Sequence, residues 1–226
     1  MGLLTCQNLK EGSNLKMRIA SLALLTICCL MLAVAPALAD STLYSNGPYN
    51  GTTDAWTINF GFSVSDSFNV GSDPHIRDLS FVYWDGSASA PSSDLLTTVD
   101  MQIGSTSFGG TTQTLSGVTN TFLGTNQYGY SLYQADFSFA DIPWVGAGYI
   151  TLSNACTTSG CSVSTPIYWD ENSGPSTAYE NTLGSIPSEA FTLSGTRDTT
   201  PEPSSIMLFA SGILGVAGVL RRRLMG

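Results

Sequence analysis

Charged side chains are scarce in this sequence. They make up 11% of its 226 residues, against about 25% in an average soluble protein. Between positions 40 and 200 there is no lysine, and Arg77 and Arg197 are the only basic residues beside fifteen aspartates and glutamates. So acidic a segment repels phosphates, which argues against a nucleic-acid-binding function. The same charge keeps a protein soluble, and it also attracts divalent cations.

Histidine is almost absent as well, since His75 is the only one. A Ser-His-Asp triad would need this residue, but it lies in a proline-broken turn and no Gly-x-Ser-x-Gly motif accompanies it. A phosphate-binding glycine loop is missing too. The sequence therefore predicts a protein that is not an enzyme and that has no catalytic residue.

Long apolar runs are confined to two segments, one near each end of the sequence. The first, Ile19–Ala35, follows the basic residues Lys16 and Arg18. A basic stretch before an apolar core is typical of a secretory signal peptide. We therefore expect residues 1–39 to form a signal-peptide helix that the Sec translocon recognises.

The predicted signal ends in a small-x-small cleavage site. Ala37 and Ala39 are the small residues, which places the cut between Ala39 and Asp40. Met17 stands directly before the basic and apolar stretches. It is therefore an alternative start, which would give the signal its usual beginning.

The second apolar run, Ser204–Leu220, contains no charge. As a helix it would span roughly 25 Å, the short end of the range for a bilayer. Arg221, Arg222 and Arg223 follow it, and the positive-inside rule places such a cluster in the cytoplasm. The sequence predicts a transmembrane helix over 204–220 and a basic cytoplasmic tail over 221–226.

A short motif precedes this helix: Pro201, Glu202 and Pro203. The two prolines favour an extended segment, and residues 195–203 are predicted to form an exposed linker. The motif, the apolar helix and the arginine cluster together resemble the PEP-CTERM sorting signal over residues 201–226. The resemblance implies recognition by exosortase, transient membrane attachment, and a final location in the envelope, at the cell surface or in the extracellular matrix of a polysaccharide-producing host.

The segment between the two signals shows short alternating stretches separated by Gly, Asn, Asp, Ser and Pro clusters. This pattern is typical of antiparallel β-structure. We expect eight to ten strands in one all-β domain over residues 40–194, folded as a jelly-roll-like two-sheet β-sandwich. The clearest stretches are Trp56–Phe60, Leu79–Trp84, Leu132–Phe139, Tyr149–Leu152, Pro166–Trp169 and Glu189–Leu193.

Only two cysteines follow the predicted signal, Cys156 and Cys161. An even pair in an exported protein indicates a disulfide. Two thiolates and one distant histidine do not supply the four ligands of a zinc site.

A candidate ligand site lies at Trp169, Asp170, Glu171 and Asn172. Three interpretations stay open: a capped turn, a sugar site in which Trp169 stacks on the ring, and a Ca²⁺ site that needs further oxygen ligands. Adjacent carboxyl groups on a strand point to opposite faces, which does not suit glycoside hydrolysis. Calcium is thus the one cofactor that the sequence leaves open.

These observations predict a non-enzymatic protein of the cell surface or matrix that binds extracellular polysaccharide. One alternative is a carbohydrate-active enzyme on a β-sandwich fold, which requires two carboxyl groups across a cleft. Another is an adhesin stabilised by calcium.

Overall fold

The computed structural model describes residues 40–72, 74–87, 91–161 and 165–197, together with the helical positions 212, 213, 215, 216, 218, 219 and 221–223. The predicted signal peptide with Ala37 and Ala39, and the motif Pro201, Glu202 and Pro203, lie outside the described residues. Most of the predicted membrane segment 204–220 lies outside them too.

The described residues form thirteen β-strands. Their bounds are β1 Ser41–Ser45, β2 Ala55–Thr57, β3 Ser63–Asn69, β4 Pro74–Asp85, β5 Leu96–Gly104, β6 Thr111–Leu115, β7 Thr119–Thr125, β8 Ser131–Pro143, β9 Ala147–Thr157, β10 Ile167–Asp170, β11 Ala178–Glu180, β12 Gly184–Ile186 and β13 Phe191–Arg197.

The strands form two antiparallel sheets. The seven-stranded sheet is built around β4, which pairs with β8 along one edge and with β13 and β10, one after the other, along its second edge. β7 flanks β8, β1 flanks β13, and β2 flanks β10. The six-stranded sheet has the order β12-β11-β3-β9-β5-β6.

One hydrophobic core lies between the sheets, because alternate side chains of each strand point inward. The seven-stranded sheet contributes Phe81, Phe137 and Trp169, and the six-stranded sheet contributes Met101 and Leu152, all of them buried. This arrangement confirms the all-β, two-sheet prediction. The narrower jelly-roll connectivity stays a prediction.

The stretch Trp56–Phe60 differs from the prediction of one continuous strand. β2 ends at Thr57, and Phe60 adopts φ = 56° in a turn that leaves its ring 51% exposed. Alternation placed Phe60 on the same face as Ile58, but only Ile58 is buried.

β13 runs three residues into the predicted linker. Gly195 and Thr196 pair with Ile76 and His75 of β4, and Arg197 pairs with Pro74. A Cβ on Gly195 would lie 1.9 Å from the backbone oxygen of His75, so only glycine fits this bulge. The folded domain therefore extends to Arg197.

Near the C-terminus, Arg221, Arg222 and Arg223 are helical and exposed. Within the part of the chain that the structure describes, no helix is both long and apolar enough to cross a membrane.

Candidate functional site

Trp169, predicted to bind a ligand, is a core residue. Its side chain has no exposed surface. The ring packs edge-on against Phe81 and Phe191, at 5.9 and 5.6 Å between ring centroids, and the indole nitrogen donates to the Ala190 carbonyl at 3.0 Å. A buried indole with these contacts cannot stack on a sugar at the surface.

Asp170 is buried as well and holds a loop against the sheet. Its Oδ1 accepts hydrogen bonds from the Gly51 amide at 2.8 Å and from the Trp84 indole at 2.5 Å, and its Oδ2 accepts from the Asn50 amide at 2.7 Å. Burial raises the pKa of the Asp170 carboxyl, and these three donors offset part of the rise. Asp170 thus orders the loop before β2.

Glu171 and Asn172 complete an internal hydrogen-bond network. Glu171 Oε2 accepts from the Trp56 indole at 3.2 Å, and Asn172 Nδ2 donates to the Asn46 carbonyl at 2.8 Å. Asn172 Oδ1 accepts from Ser188 Oγ at 2.7 Å. Among the described residues, no three side chains of His, Cys, Asp or Glu form a group that could hold a metal ion. This segment matches the capped-turn interpretation.

Four aromatic rings lie instead on the outer face of the seven-stranded sheet, and they range from the buried Trp84 through the half-buried Tyr130 and Tyr168 to the exposed Tyr128. Trp84 and Tyr168 are direct cross-strand neighbours on β4 and β10, and they alternate with the core residues Tyr83 and Trp169. The Tyr128 ring stacks over Trp84 at 6.0 Å, and Tyr130 contacts both Trp84 and Tyr168 at 5.9 and 5.8 Å. We call Trp84, Tyr128, Tyr130 and Tyr168 the aromatic cluster.

The loop that carries two of these rings is held in place by polar contacts. Asn126 Oδ1 accepts hydrogen bonds from the amides of Tyr128 and Tyr130 at 3.0 and 2.9 Å, and the Tyr128 hydroxyl donates to the Thr52 carbonyl at 3.2 Å. The Tyr128 ring is nevertheless 56% exposed. Sequence reasoning missed this cluster, although the Tyr-Gly-Tyr spacing among polar residues is the signal that could have indicated it.

A shallow groove of about 420 Å³ lies on the seven-stranded sheet. Ser138 Oγ donates to Asp78 Oδ1 at 2.6 Å, and Gln134 Nε2 donates to Asp136 Oδ1 at 2.9 Å. We call this feature the polar groove; the polar side chains that line it belong to Asp78, Ser80, Thr119, Asp136, Ser138 and Ser194.

The aromatic cluster and the polar groove share one face. Trp84 and Ser80 are separated by four residues on β4, an even spacing that directs both side chains to the same side. At about 3.3 Å per residue, the two lie roughly 13 Å apart.

Cys156 and Cys161 are joined by a disulfide. The turn between them is also held by Asp94, which accepts hydrogen bonds from Thr158 Oγ1 at 3.0 Å and from the Ser159 amide at 2.9 Å.

A PEP-CTERM protein-sorting motif matches residues 199–223, which include Pro201–Pro203 and the arginine cluster. The chain thus carries the sorting motif of an exosortase substrate, and the described residues between 40 and 197 form a β-rich domain. No curated protein matches the chain.

Proposed function

We propose that this chain is a non-enzymatic protein of the cell surface or extracellular matrix whose β domain binds extracellular polysaccharide. The observation that supports this proposal is on the outer face of the seven-stranded sheet, where the exposed Tyr128, the half-buried Tyr130 and Tyr168, and a groove of hydroxyl and carboxyl groups share one surface.

Delivery to the surface follows from the two terminal segments. The Sec translocon would export the chain, and the chain would then lose its signal peptide by cleavage after Ala39. The segment 204–220 would then hold the precursor in the membrane while exosortase processes the tail near Glu202. The disulfide supports this route, because such bonds persist in oxidising compartments outside the cytoplasm.

The chemistry of the outer face suits sugars. Tyrosine rings offer flat apolar surface with a polar tip, and sugar rings present C–H groups on their faces and hydroxyls at their edges. Tyr128 is exposed for stacking, while Asp78 and Asp136 offer acceptors to sugar hydroxyls in the groove. No basic side chain among the described residues lines the groove. The acidic side chains of Asp78 and Asp136 in the groove favour a neutral polysaccharide over one rich in uronic acids.

A pull-down of the purified chain on insoluble neutral polysaccharides tests this proposal. We expect Tyr128→Ala to weaken binding roughly tenfold or more, because loss of one stacked ring removes on the order of 1.4 kcal/mol or more. Tyr179→Ala is the matched control, since Tyr179 is paired with Tyr149 on the six-stranded sheet. Equal binding by wild type and both variants, or binding to none of the polysaccharides, would contradict the proposal.

One observation favours hydrolysis as a second candidate. Asp78 pairs with Ser138 and Asp136 pairs with Ser80, so the two aspartates are diagonal neighbours across β4 and β8. The Cα atoms of such neighbours lie about 7–8 Å apart. The two carboxyl groups of an inverting glycosidase lie about 6.5–9.5 Å apart. Both carboxyls are only half-buried in an open groove, which supports binding better than catalysis. Release of new reducing ends by the wild type, abolished by Asp136→Asn, would favour the enzyme.

A further inference from the structure

Glu189, two residues before the start of β13, is a completely buried acid. The side chain has no exposed surface, and neither Oε1 nor Oε2 has a hydrogen-bond partner among the described residues. Its backbone forms an isolated antiparallel bridge with Glu171, at the end of the seven-stranded sheet. A buried polar group without a partner is costly, and a buried charge is far more so.

Glu189 meets the opposite sheet through Asp66. Asp66 lies on β3 between the inward-facing residues Val64 and Phe68, and it is fully buried. Its Oδ2 accepts a hydrogen bond from the Glu189 amide at 2.7 Å and another from Asn46 Nδ2 at 3.2 Å. Asn46 Nδ2 also donates to the Glu189 carbonyl at 2.6 Å. This junction therefore ties β3 of one sheet to the start of β13 in the other.

The groups that face this junction are all acidic or neutral. Asp66 on β3, Asp170 and Glu171 at the end of β10, and Asp54 before β2 each disfavour a charge on Glu189. Tyr44 on β1 is the neutral titratable neighbour, and burial together with Asp66 raises the pKa of its hydroxyl.

The basic groups of this domain lie elsewhere. Arg197 stands at the far end of β13, eight residues and about 26 Å from Glu189. His75 and Arg77 lie at that same end, because Thr196 and Arg197 pair with His75 and Pro74. Nothing on the described strands brings a cation to Glu189.

We propose that Glu189 carries a proton at neutral pH and forms, with Asp66, a pH-sensitive latch between the two sheets that loosens when the proton leaves. A protonated carboxyl avoids the cost of burying a charge. Once ionised, the Glu189 carboxylate would repel the Asp66 carboxylate. This repulsion would weaken the hydrogen bond from the Glu189 amide to Asp66, which joins the two sheets.

The pKa values agree with this geometry. Burial raises the pKa of Asp66 to about 6, and burial together with the surrounding carboxylates raises the pKa of Glu189 well above its usual value. The folded state thus binds protons that the unfolded state has released. Stability consequently falls as pH rises from about 4 through about 6, and falls further where Glu189 ionises.

Thermal unfolding of the full chain in detergent, from about pH 5 to about pH 9, tests the latch. Glu189→Gln keeps the shape of the protonated acid but cannot ionise. We expect it to unfold at a higher temperature than the wild type at about pH 9 and within a few degrees of it at about pH 5. Glu180→Gln is the matched control, because Glu180 is also buried and its Oε2 accepts hydrogen bonds from Thr182 and Leu183. The Glu180→Gln control should unfold at a lower temperature than the wild type, and it should not unfold at a higher one at alkaline pH.

A second measurement needs no variant. The wild type should show the infrared carbonyl band of a buried protonated carboxyl at neutral pH, and the band should disappear on alkaline titration. A missing band at neutral pH would overturn the proposal. So would a Ca²⁺-dependent rise of the unfolding temperature in the wild type that Glu189→Gln abolishes, because a cation rather than a proton would then neutralise the acid.

Discussion

Two neighbouring residues of β10, Tyr168 and Trp169, have opposite roles. Trp169 faces the core and has no exposed surface, whereas Tyr168 faces outward and contacts Tyr130. The sequence shows that the two alternate, but it does not show which of them is buried. The predicted ligand residue Trp169 thus lies on the core side of the strand, and Tyr168 lies on the outer side.

Substitution of Trp169 tests its role as a core residue. Trp169→Ala should lower the free energy of unfolding by about 3–5 kcal/mol, because it leaves a large cavity between Phe81 and Phe191. Trp169→Phe fills much of that space and loses the hydrogen bond to Ala190, so its cost should be smaller. Urea denaturation measures both. A loss of polysaccharide binding by Trp169→Phe without loss of stability would instead return this residue to a ligand site.

At the level of elements, the strands that alternate cleanly were predictable and the loops were not. Leu132–Phe139 and Leu79–Trp84 lie within β8 and β4 as expected. The loop with Tyr128 and Tyr130 is held by a local turn contact to Asn126 and by a hydrogen bond to Thr52, which is distant in sequence. Hydrophobic periodicity encodes neither contact. The burial of Asp66 and Glu189 could not be predicted for the same reason. An acidic residue in a polar stretch is typical of an exposed position, and only the packing of the two sheets buries these two.

The disulfide is an element that should matter only modestly. The bond closes a loop of six residues, and chain entropy gives such a loop about 2 kcal/mol. The double change Cys156→Ser and Cys161→Ser should lower the free energy of unfolding by about that amount, because Asp94 still holds Thr158 and Ser159. Denaturation of the two proteins under non-reducing conditions measures the difference. A loss above about 5 kcal/mol would show that the bond holds more than its own turn.

On the scale of the whole domain, β13 sets where the fold ends. Arg197 donates to the Val70 carbonyl at 2.8 Å and lies beside Pro74, so these residues belong to the sheet. The alternating stretch Glu189–Leu193 predicted the strand. The bulge at Gly195 interrupts the alternation, so the last three residues of the strand were not predicted.

Truncation tests this boundary. A chain over residues 40–194 should be less stable than one over 40–200 by about 3 kcal/mol or more, because Gly195, Thr196 and Arg197 take with them several hydrogen bonds to β1, β4 and Val70, each worth about 1 kcal/mol. Urea denaturation of the two chains measures it. Equal stability would mean that the domain ends at Ser194.

The pairing of Ser41 with Gly195 also has a mechanical consequence. Tension applied at Arg197 runs along β13, between β1 and β4, and loads the hydrogen bonds on both of its edges in shear. Bonds loaded in shear must break together, whereas bonds that are peeled break one at a time. If the outer face binds polysaccharide as proposed, a load along β13 between that face and Arg197 would act on these hydrogen bonds in shear.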